Sequence, residues 1–315
     1  MKALVTGAAG FIGSHLTAAL LDEGAEVVGL DAFTDYYPRA IKEANLDVNR
    51  HRTGFRFVEG GIQDVDLSSL LQGITDVFHL AAQAGVRRSW GRDFRVYTDN
   101  NVDASQQLLE ACVGRPLSRF VYASSSSVYG DAAAIPMRED ALPQPVSPYG
   151  VTKLAAEQLC YLYFVNHAVP AVSVRYFTVY GPRQRPDMAF HRFLRAAITG
   201  EPIVLYGDGE QTRDFTFVAD AVAATIAAAK VGVPGRAYNI GGGSRVTVNQ
   251  VLEIVQRLVG RQVIVRREPA QKGDMRDTYA DTAMARRDLG FIPRVRLEQG
   301  LESEYRWLST TPALL

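Results

Sequence analysis

Cysteine is almost missing from this chain: two of its 315 residues, Cys112 and Cys160. So low a count excludes a disulfide framework and makes a reducing compartment, the cytoplasm, the expectation. Surplus charge is missing as well, because 34 Lys and Arg balance 34 Asp and Glu. Nucleic-acid and membrane-surface binding run on excess positive charge, so neither is expected. No window of about 18 continuous apolar residues occurs, which argues against a membrane-spanning helix. The apolar opening after Met1-Lys2 is interrupted by Gly7, Gly10 and Gly13 and does not read as a leader. Metal-ligand spacing among the five His, the two Cys and the acids is also lacking. Lysine is scarce at five residues, so Arg dominates the cations; its planar fork suits phosphate and carboxylate groups.

What is present is a rhythm. Apolar, β-rich runs at Lys2 to Thr6, Glu26 to Leu30, Phe55 to Val58, Asp76 to Leu80, Arg119 to Ala123 and Ala171 to Arg175 alternate with helical stretches. The helical stretches include Phe11 to Asp22, Phe94 to Cys112 and Pro148 to Asn166. This alternation predicts an α/β fold, a Rossmann-like, doubly wound parallel sheet covered on both faces. Beyond Tyr176, Pro and Gly punctuate shorter elements, with further helices near Val218 to Lys230 and Thr247 to Val259. We expect a nucleotide-binding domain over 1–176 and a smaller α/β substrate-binding lobe over 177–315, with some later segments rejoining the sheet. The cleft between them is where such sheets bind ligands.

Gly7, Gly10 and Gly13 form a G-x-x-G-x-x-G loop between the first strand and the first helix, with Phe11 and Ile12 inside it. There the backbone can approach a pyrophosphate at a positive helix end. Asp31 ends the second strand, 18 residues past Gly13. A carboxylate at that place can hold both hydroxyls of the adenosine ribose and repels a 2′-phosphate, which points to NAD rather than NADP. Tyr149 and Lys153 form the only Y-x-x-x-K, and residues i and i+4 share a helix face. A Tyr base working near pH 7 needs its pKa lowered by roughly three units; Lys153 and a positive nicotinamide ring are the expected causes. Ser124 to Ser127 follow the fifth strand, where a hydroxyl can bond a substrate oxygen while a Tyr moves its proton. Taken singly, these patterns also describe a tight turn, a surface Asp, a solvated Lys and a polar loop. Their order along the chain carries the reading.

With these residues in place, the chain resembles the extended short-chain dehydrogenase/reductases, specifically their NAD-dependent epimerase/dehydratase family, over essentially its whole length. The resemblance implies that Ser125, three places before V-Y-G, is catalytic with Tyr149 and Lys153. It also implies that Ala81, Ala82 and Gln83 of the H-x-A-A segment line the cofactor with Asn100 and Tyr176. His79 itself reads as packed structure. One departure stands out: relatives commonly carry an adenine-contacting Asp in a G-D-[IL] setting, and this chain has Gly61 there.

Within that family the two residues after the catalytic Ser or Thr separate the chemistries. Dehydratases resemble one another in carrying Asp-Glu, and UDP-glucuronate decarboxylases typically carry Ser-Glu. Ser126 and Ser127 offer no carboxyl group, which leaves 4-epimerisation. The segment from Arg175 to Ala189, with Thr178 and R-P-D-M-A, is similar to UDP-glucuronate 4-epimerases. The resemblance therefore implies NAD-dependent conversion of UDP-glucuronic acid to UDP-galacturonic acid through a transient 4-keto sugar. The alternatives are a UDP-glucose/UDP-galactose 4-epimerase and, less well matched, a UDP-glucuronate decarboxylase. Hydroxyls of Ser125, Ser126, Ser127 and Thr178 would meet the uronate, and Arg185 would balance its charge or else sit exposed on its loop. Arg213 and Arg192 are the diphosphate candidates, and Tyr206, Gln211 and Asp274 those for the uridine. The helices near 94–112 and 148–166 pair subunits in relatives, which implies a homodimer.

Overall fold

Six runs of β-branched and aromatic residues form strands β1 (Lys2–Thr6), β2 (Glu26–Asp31), β3 (Phe55–Glu59), β4 (Asp76–His79), β5 (Arg119–Ser125) and β6 (Ala171–Tyr176). The structure is a computed structural model and describes residues 1–131 and 134–311. A seventh strand, Ala237–Ile240, returns from the C-terminal half and pairs with β6. All pairings are parallel, in the order Ala237–Ile240, β6, β5, β4, β1, β2, β3. Parallel strands are reached by helical crossovers, so both sheet faces are covered and the strands are apolar throughout. The Phe11–Asp22 and Val218–Val231 helices cover one face, and Ala104–Cys112 and Pro148–His167 the other. Strand order reverses at β1, which lies between β4 and β2, and a crevice opens beyond their carboxyl ends. The fold is the Rossmann-like doubly wound sheet that the rhythm predicts.

The stretch 94–112, expected as one helix, is three pieces. Phe94–Tyr97 is α-helical, Thr98–Asp103 is a π-helical turn, and Ala104–Cys112 is α-helical again. The cause is Asn101, which the wider turn drives inward and which is buried. Its side chain accepts from the Gln83 N–H (2.7 Å) and donates to the Gln83 carbonyl (3.0 Å) and to Thr152 Oγ1 (3.0 Å). A buried polar chain continues from there. Ser105 Oγ donates to the Asn101 carbonyl (2.6 Å) and so must accept from His79 Nε2 (2.9 Å). His79 Nδ1 then accepts from Thr6 Oγ1 (2.8 Å), which itself accepts from the Leu80 and Ala81 amides. At the other end, Thr152 Oγ1 donates to the Tyr149 carbonyl (2.8 Å). Burial holds the His79 imidazole down at about 3, so it is a neutral structural link, as its sequence setting indicates.

The C-terminal lobe packs Ala189–Thr199, Val248–Val259 and Leu297–Ser309 around Phe190, Leu194, Val251, Val255, Leu301 and Leu308. Thr247 starts the second of these with a reciprocal cap to Gln250, which satisfies two otherwise free amides. Buried Glu304 accepts from the Gly181 N–H (2.9 Å) and ties this lobe to the loop that leaves β6. Among the described residues, no helix is long and apolar enough to cross a membrane.

Breaking the polar chain strands several buried groups at once. Asn101→Ala is expected to cost about 3 kcal/mol, the scale for unsatisfied buried donors and acceptors. Urea denaturation measures this, and a loss below about 0.5 kcal/mol would show that water replaces the amide.

Candidate active site

The first loop is built for close approach. Gly7 has φ of 75°, and a Cβ there would stand 2.9 Å from the Ala81 amide nitrogen. A Cβ on Gly13 would run into the Gly7 carbonyl. Only glycine lets the helix start against β1 and leaves its N-terminal amides bare. At the end of β2, Asp31 accepts from the Ala9 (3.1 Å) and Phe33 (2.9 Å) amides. Burial pushes its carboxyl up, against the pull of those amides and of Lys42. Two oxygens fixed this way keep lone pairs for ribose hydroxyls.

One cleft gathers Gly7, Gly10, Phe11, Ile12, Gly13, Asp31, Ala81, Ala82, Gln83, Asn100, Tyr149, Lys153 and Tyr176, together with Arg185. The Tyr176 hydroxyl is tied to Thr225 Oγ1 (2.6 Å), so the cleft receives its ring. Thr34, Tyr36, Tyr37, Lys42 and Gln63 line the same cleft and were not found from the sequence. Four of them sit in loops and Lys42 on the Arg39–Arg50 helix, and their residue types carry no spacing signal.

The helix Pro148–His167 starts at Ser147, whose hydroxyl accepts from the Gly150 amide (3.1 Å). Its first two turns present Tyr149 and Lys153 to the cleft. Lys153 Nζ donates to the Ala123 carbonyl (2.8 Å) and lies 5.0 Å from the centre of the Tyr122 ring. Ser125 ends β5, accepts from the Ser127 amide (3.1 Å) and stands near enough to the Tyr149 phenol to pull it down. Ser126 and Ser127 are buried in the turn that follows. The electrostatics differ from the sequence-based expectation. Burial raises the Tyr149 phenol, while the nearby Ser125 hydroxyl and the Arg185 charge pull it back. Lys153 is itself pushed down to about 7 by burial. In the bare chain, desolvation outweighs any help that the ammonium gives the phenol. Thr178 is half-buried, its carbonyl accepting from the Thr216 amide (3.1 Å), and lies outside the residues that line this cleft.

A second group converges in the C-terminal lobe. The Tyr206 ring lies 4.3 Å from the Arg87 guanidinium and 5.7 Å from that of Arg192. Gln211 Nε2 donates to the Tyr206 carbonyl (2.8 Å), and Arg87 pairs with Asp274 (2.7 Å). Arg213, lowered by burial and raised by Asp274, donates to the Thr212, Met275 and Arg276 carbonyls. Arg87 joins these residues and was missed from the sequence, although it lies only four places past Gln83.

The family model for the NAD dependent epimerase/dehydratase family matches residues 3–241. The chain belongs to that family. It is 43% identical to an uncharacterised UDP-glucose epimerase of Bacillus subtilis, covering 98% of each chain. It is 37% identical to the UDP-glucuronate 4-epimerase of Thermodesulfobacterium geofontis, covering 96% of this chain and 95% of that one. A crystal structure of UDP-glucuronic acid 4-epimerase from Bacillus cereus, in complex with UDP-glucuronic acid and NAD, superposes with a TM-score of 0.96. It is 45% identical, over 98% of this chain and 99% of that one.

Just past β3 the cleft wall is made of two glycines, Gly60 and Gly61. Gly61 lines the cleft, and a Cβ there would lie 2.5 Å from Asp64 Oδ2. The Asp64 carboxylate thus folds into the space that a side chain at position 61 would take. The two neighbouring asparagines also divide their work. Asn100 faces the cleft while its amide donates to the Val96 carbonyl (2.8 Å), and Asn101 holds the framework.

The buried Lys153 makes a linkage that can be measured. Its folded value is about 7 and its ordinary value 10.5. Between these, the unfolded chain keeps a proton that the folded chain has released, so stability rises with pH, by at most about 1.4 kcal/mol per unit. Urea denaturation of cofactor-free parent and Lys153→Met at pH 7 and pH 9 is expected to show the parent gaining on the variant. Parallel changes in the two would mean Lys153 titrates normally.

Proposed function

We propose that the protein is an NAD-dependent UDP-glucuronate 4-epimerase, converting UDP-glucuronic acid to UDP-galacturonic acid. The observation that carries this reading is the hydroxyl-only end of β5. The Ser125 hydroxyl lies beside the Tyr149 phenol, and Ser126 and Ser127 fill the places where carboxyl groups would serve dehydration or decarboxylation. The similarity to the Bacillus cereus enzyme supports the choice of substrate. When bound, NAD supplies the hydride acceptor for C4. The glycine loop and Asp31 would hold its pyrophosphate and ribose, and the loop fits because glycine at 7 and 13 lets the first helix start close against β1 and the Ala81 backbone. Tyr149 takes the 4-hydroxyl proton and later returns it, while Ser125 bonds the same oxygen. The Tyr206 cluster holds the UDP moiety, with Arg192, Arg213 and Arg87 toward the diphosphate and Gln211 and Asp274 toward the uridine. Thr178 and Arg185 attend the carboxylate.

The protein acts in the cytoplasm, a reading supported by two buried free thiols. It forms a homodimer through the Pro148–His167 helix. Val151, Leu162 and Val165 stand about half exposed along that helix beside Val96, leaving an apolar stripe that a second copy would cover. Leu162→Asp is expected to yield a monomer in light scattering, and an unchanged oligomeric mass would place the interface elsewhere.

The substrate assignment is tested by assaying both sugars. UDP-glucuronate should turn over far faster than UDP-glucose, and Tyr149→Phe should lose about 10² or more of kcat while still binding ligand. Equal kcat/KM for the two sugars would favour the neutral-sugar reading that the Bacillus subtilis relative's name suggests. Near-normal turnover by Tyr149→Phe would assign the base to another residue.

A further inference from the structure

The loop after β6 crosses from the C-terminal lobe to the cofactor side and is pinned at both ends. Near its start, His15 Nε2 meets the Pro182 carbonyl (2.8 Å), and Arg183 reaches His15 Nδ1 (2.8 Å) and Ser14 Oγ (3.2 Å) on the first helix. Further on, Arg185 Nε and Nη2 donate to the two oxygens of Asp187 (2.9 and 3.1 Å). Tyr36, from the loop that follows Asp31, donates its hydroxyl to Asp187 Oδ2 (3.2 Å). Its ring also lies 5.7 Å from the Arg185 guanidinium. Gly85 makes room for this arrangement, because a Cβ there would collide with the Tyr36 hydroxyl.

Asp187 therefore takes one whole edge of Arg185. A guanidinium has five N–H donors in a rigid plane. With Nε and one Nη2 hydrogen used, the Nη1 edge is left, and Arg185 lines the cofactor cleft. A carboxylate that grips one edge fixes the direction of the other. It also offsets part of the charge, so what Arg185 offers a ligand is oriented hydrogen bonding as well as attraction.

We propose that Asp187 and Tyr36 are positioning residues, which hold Arg185 by one edge so that its other edge orients the substrate's carboxylate. This rests on the uronate reading above. The need is chemical. Once C4 is a ketone, the sugar is a β-keto acid. If its C5–carboxyl bond stands perpendicular to the carbonyl plane, that bond can break. The electron pair then passes into the enolate of the 4-ketone, CO₂ leaves, and the hydride stays behind on NADH. A carboxylate held by a fixed edge is kept out of that alignment.

The experiment compares parent, R185A, D187N, Y36F and R185A/D187N on UDP-glucuronate and on UDP-glucose. It reads kcat, CO₂ released per turnover and the NAD content of each protein. R185A and D187N should both lower epimerisation of UDP-glucuronate, D187N by roughly tenfold for a misplaced contact group. Both should raise CO₂ release, and UDP-glucose turnover should change much less. Y36F should move the same way by less. The double variant should be no worse than R185A, since a positioning residue has nothing left to position. D187N and Y36F keeping the parent's CO₂ fraction while R185A raises it would overturn the positioning role alone. Equal losses on both sugars would also overturn it, by making the contact purely structural. An R185A that behaves as the parent would remove Arg185 from the carboxylate, and the positioning role with it. If D187N does not fold, Y36F, which removes one hydroxyl, decides by the same criteria.

Discussion

A single hydrogen-bonded chain through the interior sets where everything at the site stands. It starts at Thr6 on β1, passes through His79 on β4 and Ser105 and Asn101 on the following helix, and ends through Thr152 at the backbone of Tyr149. These residues come from elements far apart in sequence, and each is buried among apolar neighbours. In that setting an unmade bond costs far more than a made bond gains, so the groups must meet in one arrangement. The same residues hold the Ala81 and Gln83 amides that form the cleft wall. The cofactor wall and the Tyr149 helix are therefore fixed relative to each other by the core itself.

That dependence explains which parts of the molecule can be read from the sequence. The six strands of the first half, the glycine loop, Asp31 and the Tyr149–Lys153 pair are local signals, carried by period, glycine and i,i+4 spacing. Their positions in the structure follow the sequence reading to within one or two residues at the strand ends. The π-helical turn at Thr98–Asp103 is different. It exists because Asn101 finds Gln83 and Thr152, partners 18 and 51 residues away, and no periodicity encodes that. Arg87 is invisible for the same reason. Its meaning comes from Tyr206 and Asp274, on the far lobe.

Protonation is the property least legible in the sequence, because burial competes with charge. Four residues of spacing suggest that Lys153 assists Tyr149. In the bare chain, however, both groups are desolvated strongly enough that each is driven toward its neutral form. The influences that favour the phenolate come from Ser125 and from Arg185 across the cleft. A cation introduced beside the phenol favours the phenolate further, and a positive nicotinamide ring would be one. The phenolate would then be most populated in the oxidised, loaded state, when a hydride acceptor is available, and less so once that charge has been discharged.

The pairing of Arg185 with Asp187 bears on how a site of this kind handles an acidic sugar. An unpaired cation deep in the cleft would hold a carboxylate by charge, and Coulomb attraction changes little as the C5–carboxyl bond swings relative to the C4 carbonyl plane. Hydrogen bonds from a fixed planar edge do depend on that angle. The internal carboxylate of Asp187 gives up attraction and gains direction. For a substrate that becomes a β-keto acid half-way through its reaction, direction is the more useful of the two, since the hazard is the C5–carboxyl bond swinging perpendicular to the carbonyl plane. The serine hydroxyls at the end of β5 fit the same logic. They offer donors without an acid or base that could complete the loss of CO₂.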